Sequence, residues 1–368
     1  MARYLVTGGA GFIGRHLCAQ LLDEGHEVRV VDSLLDQVHG GQPRADVLNE
    51  VEFIHGDLRD RAITAAAVRN VDAIFHLAAE VGVGQSMYEI DRYVGGNDLA
   101  TANLLQEVIA RPVERIVVAS SMSVYGEGLY VTPDGNRIEN AGRTSEQIQA
   151  RQWDPVGPNG ERLTPTATDE TKQISLSSIY ALTKFVQEQQ VLITTRAYGM
   201  SAVALRLFNV FGPGQALSNP YTGVLAIFAS RLLNNERPLV FEDGCQRRDF
   251  VHVSDVARAF RLAMATQDAN GEVINVGAGE PHSICDVGKM LAHAMDRDIE
   301  PDVLNEARAG DIRHCFGDLS KAERILGFRP DYKLSDKLGE LAEWVARQQA
   351  TDRVRDAKRE LETRGLVA

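Results

Sequence analysis

Residues Thr7-Gly8-Gly9-Ala10-Gly11-Phe12-Ile13-Gly14 constrain this chain more than any other stretch. They follow a short apolar run at 4–7 and open an amphipathic one at 13–24, where Leu17, Leu21 and Leu22 recur at helical spacing. Gly8, Gly11 and Gly14 fit G-x-x-G-x-x-G, and Gly9, Gly11 and Gly14 fit G-x-G-x-x-G. A strand, a turn without side chains and a helix N-terminus bring backbone N–H groups and partial positive charge to a place a pyrophosphate can approach. Glycines also serve ordinary turns, so the context decides. A second apolar run, 28–31, ends at Asp32, 18 residues after Gly14, where a carboxylate can accept hydrogen bonds from a ribose diol. Ser33, Leu34 and Leu35 offer no base for a 2′-phosphate, which favours NAD over NADP. Asp57, after a third run at 51–54, has two readings of equal weight: a contact to the adenine amino group, or a helix N-cap. His76 reads as a structural histidine.

The alternation continues. Candidate strands lie at 73–77 and 116–120, with a helical pattern at 97–110. Strands rich in Val and Ile alternating with helices predict an α/β fold, a parallel sheet covered on both faces. Residues 127–172 interrupt the pattern: polar, with several Pro and Gly and no sustained period, they read as an insertion. Helix and strand signals resume at 179–198 and 202–207. From Gly212 a helix (225–233), a strand (Val273–Val276) and turns suggest a smaller second domain. The expected division is a cofactor-binding domain over 1–211, a second domain mainly for substrate over 212–350, and a charged tail, 351–368, read as a solvated helix.

The chain has 368 residues, 44% of them hydrophobic, enough for a large core. A net charge of -12 without a basic run argues against nucleic acid or anionic membranes as partners. An anionic substrate would need a few placed arginines. Cys18, Cys245, Cys285 and Cys315 are scattered and form no C-x-x-C, which fits a reducing compartment. The chain enters Arg3-Tyr4-Leu5-Val6-Thr7 without a signal-peptide pattern, and no run approaches the ~20 apolar residues of a membrane span. The cytoplasm is the expected location.

Two further segments carry chemistry. Ser120-Ser121-Met122-Ser123-Val124-Tyr125-Gly126 ends the fifth strand, and Tyr180-Ala181-Leu182-Thr183-Lys184 opens a helix. Tyr180 and Lys184, four apart, share a helix face. A nearby ammonium favours tyrosinate and lowers the phenol pKa, while a serine hydroxyl positions the reacting oxygen. A buried Tyr and a surface Lys would be the bland alternative, but the glycine turn and the strand-end serine argue against coincidence.

With these motifs, from Arg3 to about Phe328, the chain resembles the extended short-chain dehydrogenase/reductase family, in its NAD-dependent epimerase/dehydratase branch. The resemblance implies a Rossmann-type doubly wound sheet with a smaller C-terminal substrate-binding domain. It also implies Ser121, Tyr180 and Lys184 as the catalytic residues. NAD contacts are implied at Gly8, Gly11, Phe12, Ile13, Gly14, Asp32, Asp57, Leu58, Leu77, Ala78, Ala79, Asn97, Tyr180 and Lys184. Further segments match: 206–214, Arg248-Asp249-Phe250-Val251-His252-Val253-Ser254-Asp255, and Arg308-Ala309-Gly310-Asp311. By resemblance Asn209 and Arg248 hold the diphosphate of a nucleotide sugar, Arg308 adds a second cation, Asp311 faces the nucleoside ribose, and Ser121 and Ser123 meet the sugar. Guanidinium forks suit phosphate oxygens. Surface ion pairing is the competing reading, weaker for Arg248 than for Arg308. A homodimer through the helices at 97–110 and 179–198 is implied in the same way.

The residues after Ser121 discriminate among reactions. Branch members that remove water resemble T-D-E-V-Y-G, and decarboxylases of uronic acids resemble T-S-E-V-Y-G. Here Met122 and Ser123 provide no carboxylate. That points to a 4-epimerase of a dTDP- or UDP-hexose working through a transient 4-keto intermediate. Residues 214–223 and 239–244, and the place of the insertion, resemble dTDP-L-rhamnose 4-epimerase-like members. Many of those carry cysteine pairs in the insertion. The similar spots here read Thr132-Pro133-Asp134-Gly135 and Gly157-Pro158-Asn159-Gly160, so no metal site is expected, and Trp153 reads as an anchor. Rival readings are a 4,6-dehydratase, a decarboxylase, a 4-ketoreductase, or a non-catalytic NAD-binding regulator.

Overall fold

A computed structural model of the chain describes residues 1–40 and 49–367. Seven parallel strands form one sheet, in the order Val273–Val276, Ser201–Leu207, Arg115–Ser121, Ala73–His76, Arg3–Thr7, Glu27–Asp32, Glu52–His55. The sequence-predicted strands are found within a residue or two. Both faces are covered, which explains why the strands read as continuous apolar runs. One face packs Val6, Val30, Phe75, Val117 and Leu205 under Leu17, Leu21, Val256 and Phe260. The other packs Leu5, Ile74, Ile116 and Val118 under Leu104, Leu105, Val108 and Val191. The strand order reverses between Arg3–Thr7 and Ala73–His76, so a crevice opens at the carboxyl ends of those two strands.

Four expectations need correction. The helical pattern at 97–110 is an α-helix only over Ala100–Ala110; Val94–Leu99, before it, is a π-helical turn that carries Asn97 inward. The insertion is not irregular: Arg137–Ile138, Leu129–Val131 and Thr164–Thr166 pair as a small antiparallel sheet. Ser145–Gln149 is a helix with a Thr144/Gln147 capping box. Strands of two or three residues are too short to show a period. Met122, Val124, Tyr125, Phe208, Ile312 and Cys315 form a small buried cluster next to the insertion, whose Lys172 donates to the Tyr125 carbonyl at 2.9 Å; Trp153, within the insertion, is buried.

The boundary at 211/212 is not a single cut either. The helix Val253–Ala265 and the strand Val273–Val276 belong to the large sheet and its core. A second apolar core gathers Phe211, Leu225, Phe228, Leu232, Val287, Leu291, Leu338 and Leu341 into the smaller lobe. The last segment forms the helix Val354–Thr363, which is not solvated all round: Ala357 and Leu361 are buried. Among the described residues no helix is long and apolar enough to cross a membrane, and all four cysteines are free.

Candidate active site

A cleft of about 610 Å³ runs from the glycine turn to the smaller lobe. At its dinucleotide end Gly8 has φ +68°, and a Cβ there would stand 2.9 Å from the Ala78 backbone. A Cβ on Gly14 would fall 2.4 Å from the Gly8 carbonyl and 2.6 Å from the Gly9 Cα. The turn closes only without side chains. Gly11 is the N-cap of the helix Phe12–Asp23, with no side-chain cap and no acid in the first turn, so this helix start is left for an outside anion. Gly8, Gly11, Phe12, Ile13, Gly14, Asp32, Asp57, Leu58, Leu77, Ala78 and Ala79 all line the cleft. These features fit a dinucleotide.

Asp32 accepts the backbone N–H groups of Ala10 (3.1 Å) and Leu34 (2.9 Å), which fixes the glycine turn against the second strand. His39, not weighed in the sequence, has Nε2 3.6 Å from Asp32 Oδ1. Asp57 does not cap the next helix, since Asp60 does so through Ala62 N–H. Burial works to raise the Asp57 pKa, but its bonds from Arg59 (2.6 and 3.0 Å) hold the carboxyl below its ordinary value. Asn97 is the departure. It is fully buried, does not line the cleft, and bonds Glu80 N–H (2.6 Å) and the Thr183 hydroxyl (2.9 Å). It ties the π-helical turn to the helix that carries Tyr180 and Lys184. His76 bonds the Thr7 and Thr101 hydroxyls, both at 2.8 Å, and burial together with nearby Lys184 pulls its pKa down to about 3.

Ser121, Ser123, Tyr180 and Lys184 meet in the middle of the cleft. The two adjacent serines have different tasks. Ser120 donates to Glu188 (2.7 Å), itself paired with Arg206 (2.8 Å), and so clamps the strand end to the helix Ile179–Ala197. Ser121 is hydrogen-bonded to the Tyr180 phenol and receives the Ser123 hydroxyl at 2.9 Å. Ser178 caps the helix at Ala181 N–H (3.1 Å), and Ser86 accepts Tyr180 N–H (3.0 Å).

The electrostatics differ from the simple expectation. Burial raises the Tyr180 pKa, and the opposing influence is the Ser121 hydrogen bond rather than Lys184. Lys184 donates to Gln187 Oε1 at 2.7 Å. Burial pulls its pKa from 10.5 to about 7, against the attraction of Glu188 and Asp98. An ammonium so desolvated is itself poised to give up its proton near neutrality.

At the smaller lobe the cleft is lined by Asn209, Arg248, Arg308 and Asp311. Asn209 Oδ1 is buried and has no hydrogen-bond partner among the described residues. Arg248 donates to the carbonyls of Ile312, Arg313 (3.0 Å) and Arg247 (2.9 Å) and forms no ion pair among the described residues, so its charge is uncompensated. Arg308 is spent differently: both Asp311 oxygens accept from it (2.9 and 3.1 Å), and it stacks 4.3 Å over Phe241. Asp311 reaches the cleft wall, but with a partner already in place.

The sequence reading missed the C-terminal segment. Val354, Ala357, Leu361 and Leu366 form an apolar wall of the same cleft. Ala309 N–H bonds the Leu366 carbonyl (2.9 Å), Lys358 pairs with Glu306 (2.8 Å), and Arg364 stacks 4.4 Å over Tyr88. Its signal was the i, i+3, i+7 spacing of Val354, Ala357 and Leu361 in a charged stretch.

Comparison with known proteins agrees with this architecture. The model of the NAD dependent epimerase/dehydratase family matches residues 4–149 and 154–277. A dTDP-L-rhamnose 4-epimerase of Burkholderia thailandensis is 35% identical over 352 residues, 94% of this chain and 95% of that one. The UDP-N-acetylglucosamine 4-epimerase of Methanobrevibacter ruminantium, solved with UDP-N-acetylmuramic acid, superposes with a TM-score of 0.76 at 30% identity, covering 95% of this chain and 99% of that one. The UDP-glucose 4-epimerase of Thermus thermophilus, solved with NAD, gives 0.75 at 29% identity, covering 94% and 100%. The chain therefore belongs to the NAD-dependent epimerase/dehydratase family of nucleotide-sugar enzymes, and NAD is its cofactor.

Proposed function

We propose that the protein inverts C4 of a nucleotide-linked hexose, a dTDP- or UDP-sugar, through a transient 4-keto intermediate. One observation carries this reading. Ser121, Tyr180 and Lys184 share a cleft in which the neighbour of Ser121 is the Ser123 hydroxyl at 2.9 Å, where a dehydratase or decarboxylase would need a carboxylate. NAD supplies a hydride acceptor and donor at the sugar carbon. Ser121 orients the sugar's 4-hydroxyl and the Tyr180 phenol. Tyr180 takes the 4-hydroxyl proton as C4 is oxidised and returns it when the opposite face is reduced. Lys184, with a pKa near 7, exchanges the proton that this shuttle needs. Asn209 and Arg248, with Arg308, hold the diphosphate while the sugar turns over, and the apolar wall at 354–366 limits water. Net redox is zero.

The test uses C4-deuterated dTDP- and UDP-hexoses. The expected product is inverted at C4, keeps its deuterium and takes none from solvent, with no net use of NAD. Loss of water or carbon dioxide, a stoichiometric demand for reduced cofactor, or no conversion of any nucleotide sugar would each refute the reading. The apolar residues Val94, Leu99, Leu182 and Ile193, exposed on or beside the two long helices, support a homodimer through that face. The free cysteines support a cytoplasmic place of action.

A further inference from the structure

The insertion at 127–172 lies against the end of the cleft that holds Arg248, and the join between them is ionic and buried. Arg143, from the insertion, is 5% exposed. It donates to Glu242 Oε1 at 2.5 Å and to the Asp311 main-chain carbonyl at 2.9 Å. Glu242 is wholly buried and has φ +50°, a left-handed conformation that a residue with a Cβ adopts only when its surroundings impose it. Its other oxygen accepts from Arg313 at 3.0 Å. Arg313, 2% exposed, is also gripped by Asp243 (2.6 and 3.0 Å) and by Asp154 of the insertion (2.8 Å). Glu127, at the insertion's start, accepts the backbone N–H groups of Arg313 (2.8 Å) and His314 (3.2 Å). All of these bonds except Arg143–Glu242 end on residues 311–314, and Glu242 is tied to the same stretch through Arg313. The same short stretch supplies the Ile312 and Arg313 carbonyls that aim the Arg248 guanidinium, and the Asp311 carboxylate that aims Arg308.

We propose that the insertion is the backing of the diphosphate subsite and that Arg143 is a positioning residue within it. Arg143 is not among the residues that line the cleft. It holds residues 311–313 at the distance from the cleft that keeps Arg248 directed at a phosphate oxygen. A guanidinium is required because one planar fork must satisfy a carboxylate and a carbonyl in different directions. This inference rests on the reading of Arg248 as a diphosphate ligand.

The test measures UDP and dTDP binding by calorimetry, and steady-state kinetics, on the full-length NAD-loaded protein. Three variants are compared with wild type: Arg143→Met, Arg143→Lys and Arg248→Met. Arg143→Met should raise the Kd for the preferred nucleoside diphosphate, and KM, about tenfold or more. NAD content and kcat at saturation should stay within about twofold. Arg143→Lys should recover part of the loss. Should Arg143→Met fail to fold because Glu242 is left less compensated, the pair Arg143→Met with Glu242→Gln removes both charges, and the same shift is expected of it. Unchanged nucleotide affinity in a folded variant would overturn the proposal, as would parallel loss of NAD, kcat and thermal stability. Arg248→Met separates the two levels. If it binds nucleoside diphosphates like wild type, the subsite itself is misassigned. If it weakens them while Arg143→Met does not, only the positioning role fails.

Discussion

Replacing Lys184 with Met should give a protein that is inactive yet, at neutral or lower pH, more stable than wild type. The folded state holds the Lys184 pKa at about 7, whereas the unfolded chain keeps the ordinary 10.5. At ~1.4 kcal/mol for each tenfold change in proton affinity, charging this buried amine costs about 5 kcal/mol of folding stability below pH 7. The sign follows from proton counts. Between the two pKa values the unfolded chain holds a proton that the folded protein has released, so wild-type stability rises with pH through that window. Methionine has no such dependence. It also leaves Gln187 Oε1 without the 2.7 Å bond from Lys184, a penalty of about 1–3 kcal/mol that is the same at every pH. The decisive quantity is therefore the slope. Urea unfolding of both proteins, freed of nucleotide, is followed from pH 6 to pH 9. The stability gap should move in favour of wild type by roughly 2.5 kcal/mol over that range. Parallel stability curves would show that Lys184 keeps an ordinary pKa in the fold and would remove the argument for its proton exchange at neutrality.

Tyr180→Phe should lower turnover by about 10²–10⁴-fold with NAD content and circular dichroism unchanged; near-normal rates would eliminate the proposed acid/base. Gly14→Ala should purify with little bound NAD, because its Cβ would meet the Gly8 carbonyl at 2.4 Å; full cofactor occupancy, read from the absorbance of released nucleotide, would contradict the cradle.

Much of the sheet was readable because its strands are buried on both faces, and Val and Ile runs between helical periods leave few other architectures. The Tyr180–Lys184 pair was readable from helix spacing and a serine from the strand end, whereas Ser121 was singled out among Ser120, Ser121 and Ser123 only by the family resemblance. Asn97 was not. Its inward turn depends on a π-helical bulge, and no three-residue signal distinguishes that from a regular helix. The role of Asp57 was open because Asp60, three residues on, competes for the same cap. Arg143 was invisible for another reason: its partners Glu242 and Asp311 lie 99 and 168 residues away. The Tyr180 phenol shows the limit of pairwise reasoning. The sequence places an ammonium nearby, but only the fold shows that burial dominates both groups.

The return of the chain to the large sheet after visiting the smaller lobe has a consequence for how the protein can be made. The strand Ser201–Leu207 pairs on one side with Arg115–Ser121 and on the other with Val273–Val276. Until residue 276 has been synthesised, its outer edge, nearly all apolar and destined for burial, is an open template for another strand. A nascent or clipped chain that stops near 211 thus exposes a sticky edge and half of a core whose lid, Val256 to Phe260, has not yet arrived. Such fragments should aggregate rather than behave as an independent dinucleotide-binding unit. The chain leaves the large sheet for the smaller lobe and returns to it at Val273–Val276, so the two lobes are expected to travel in evolution as a single piece.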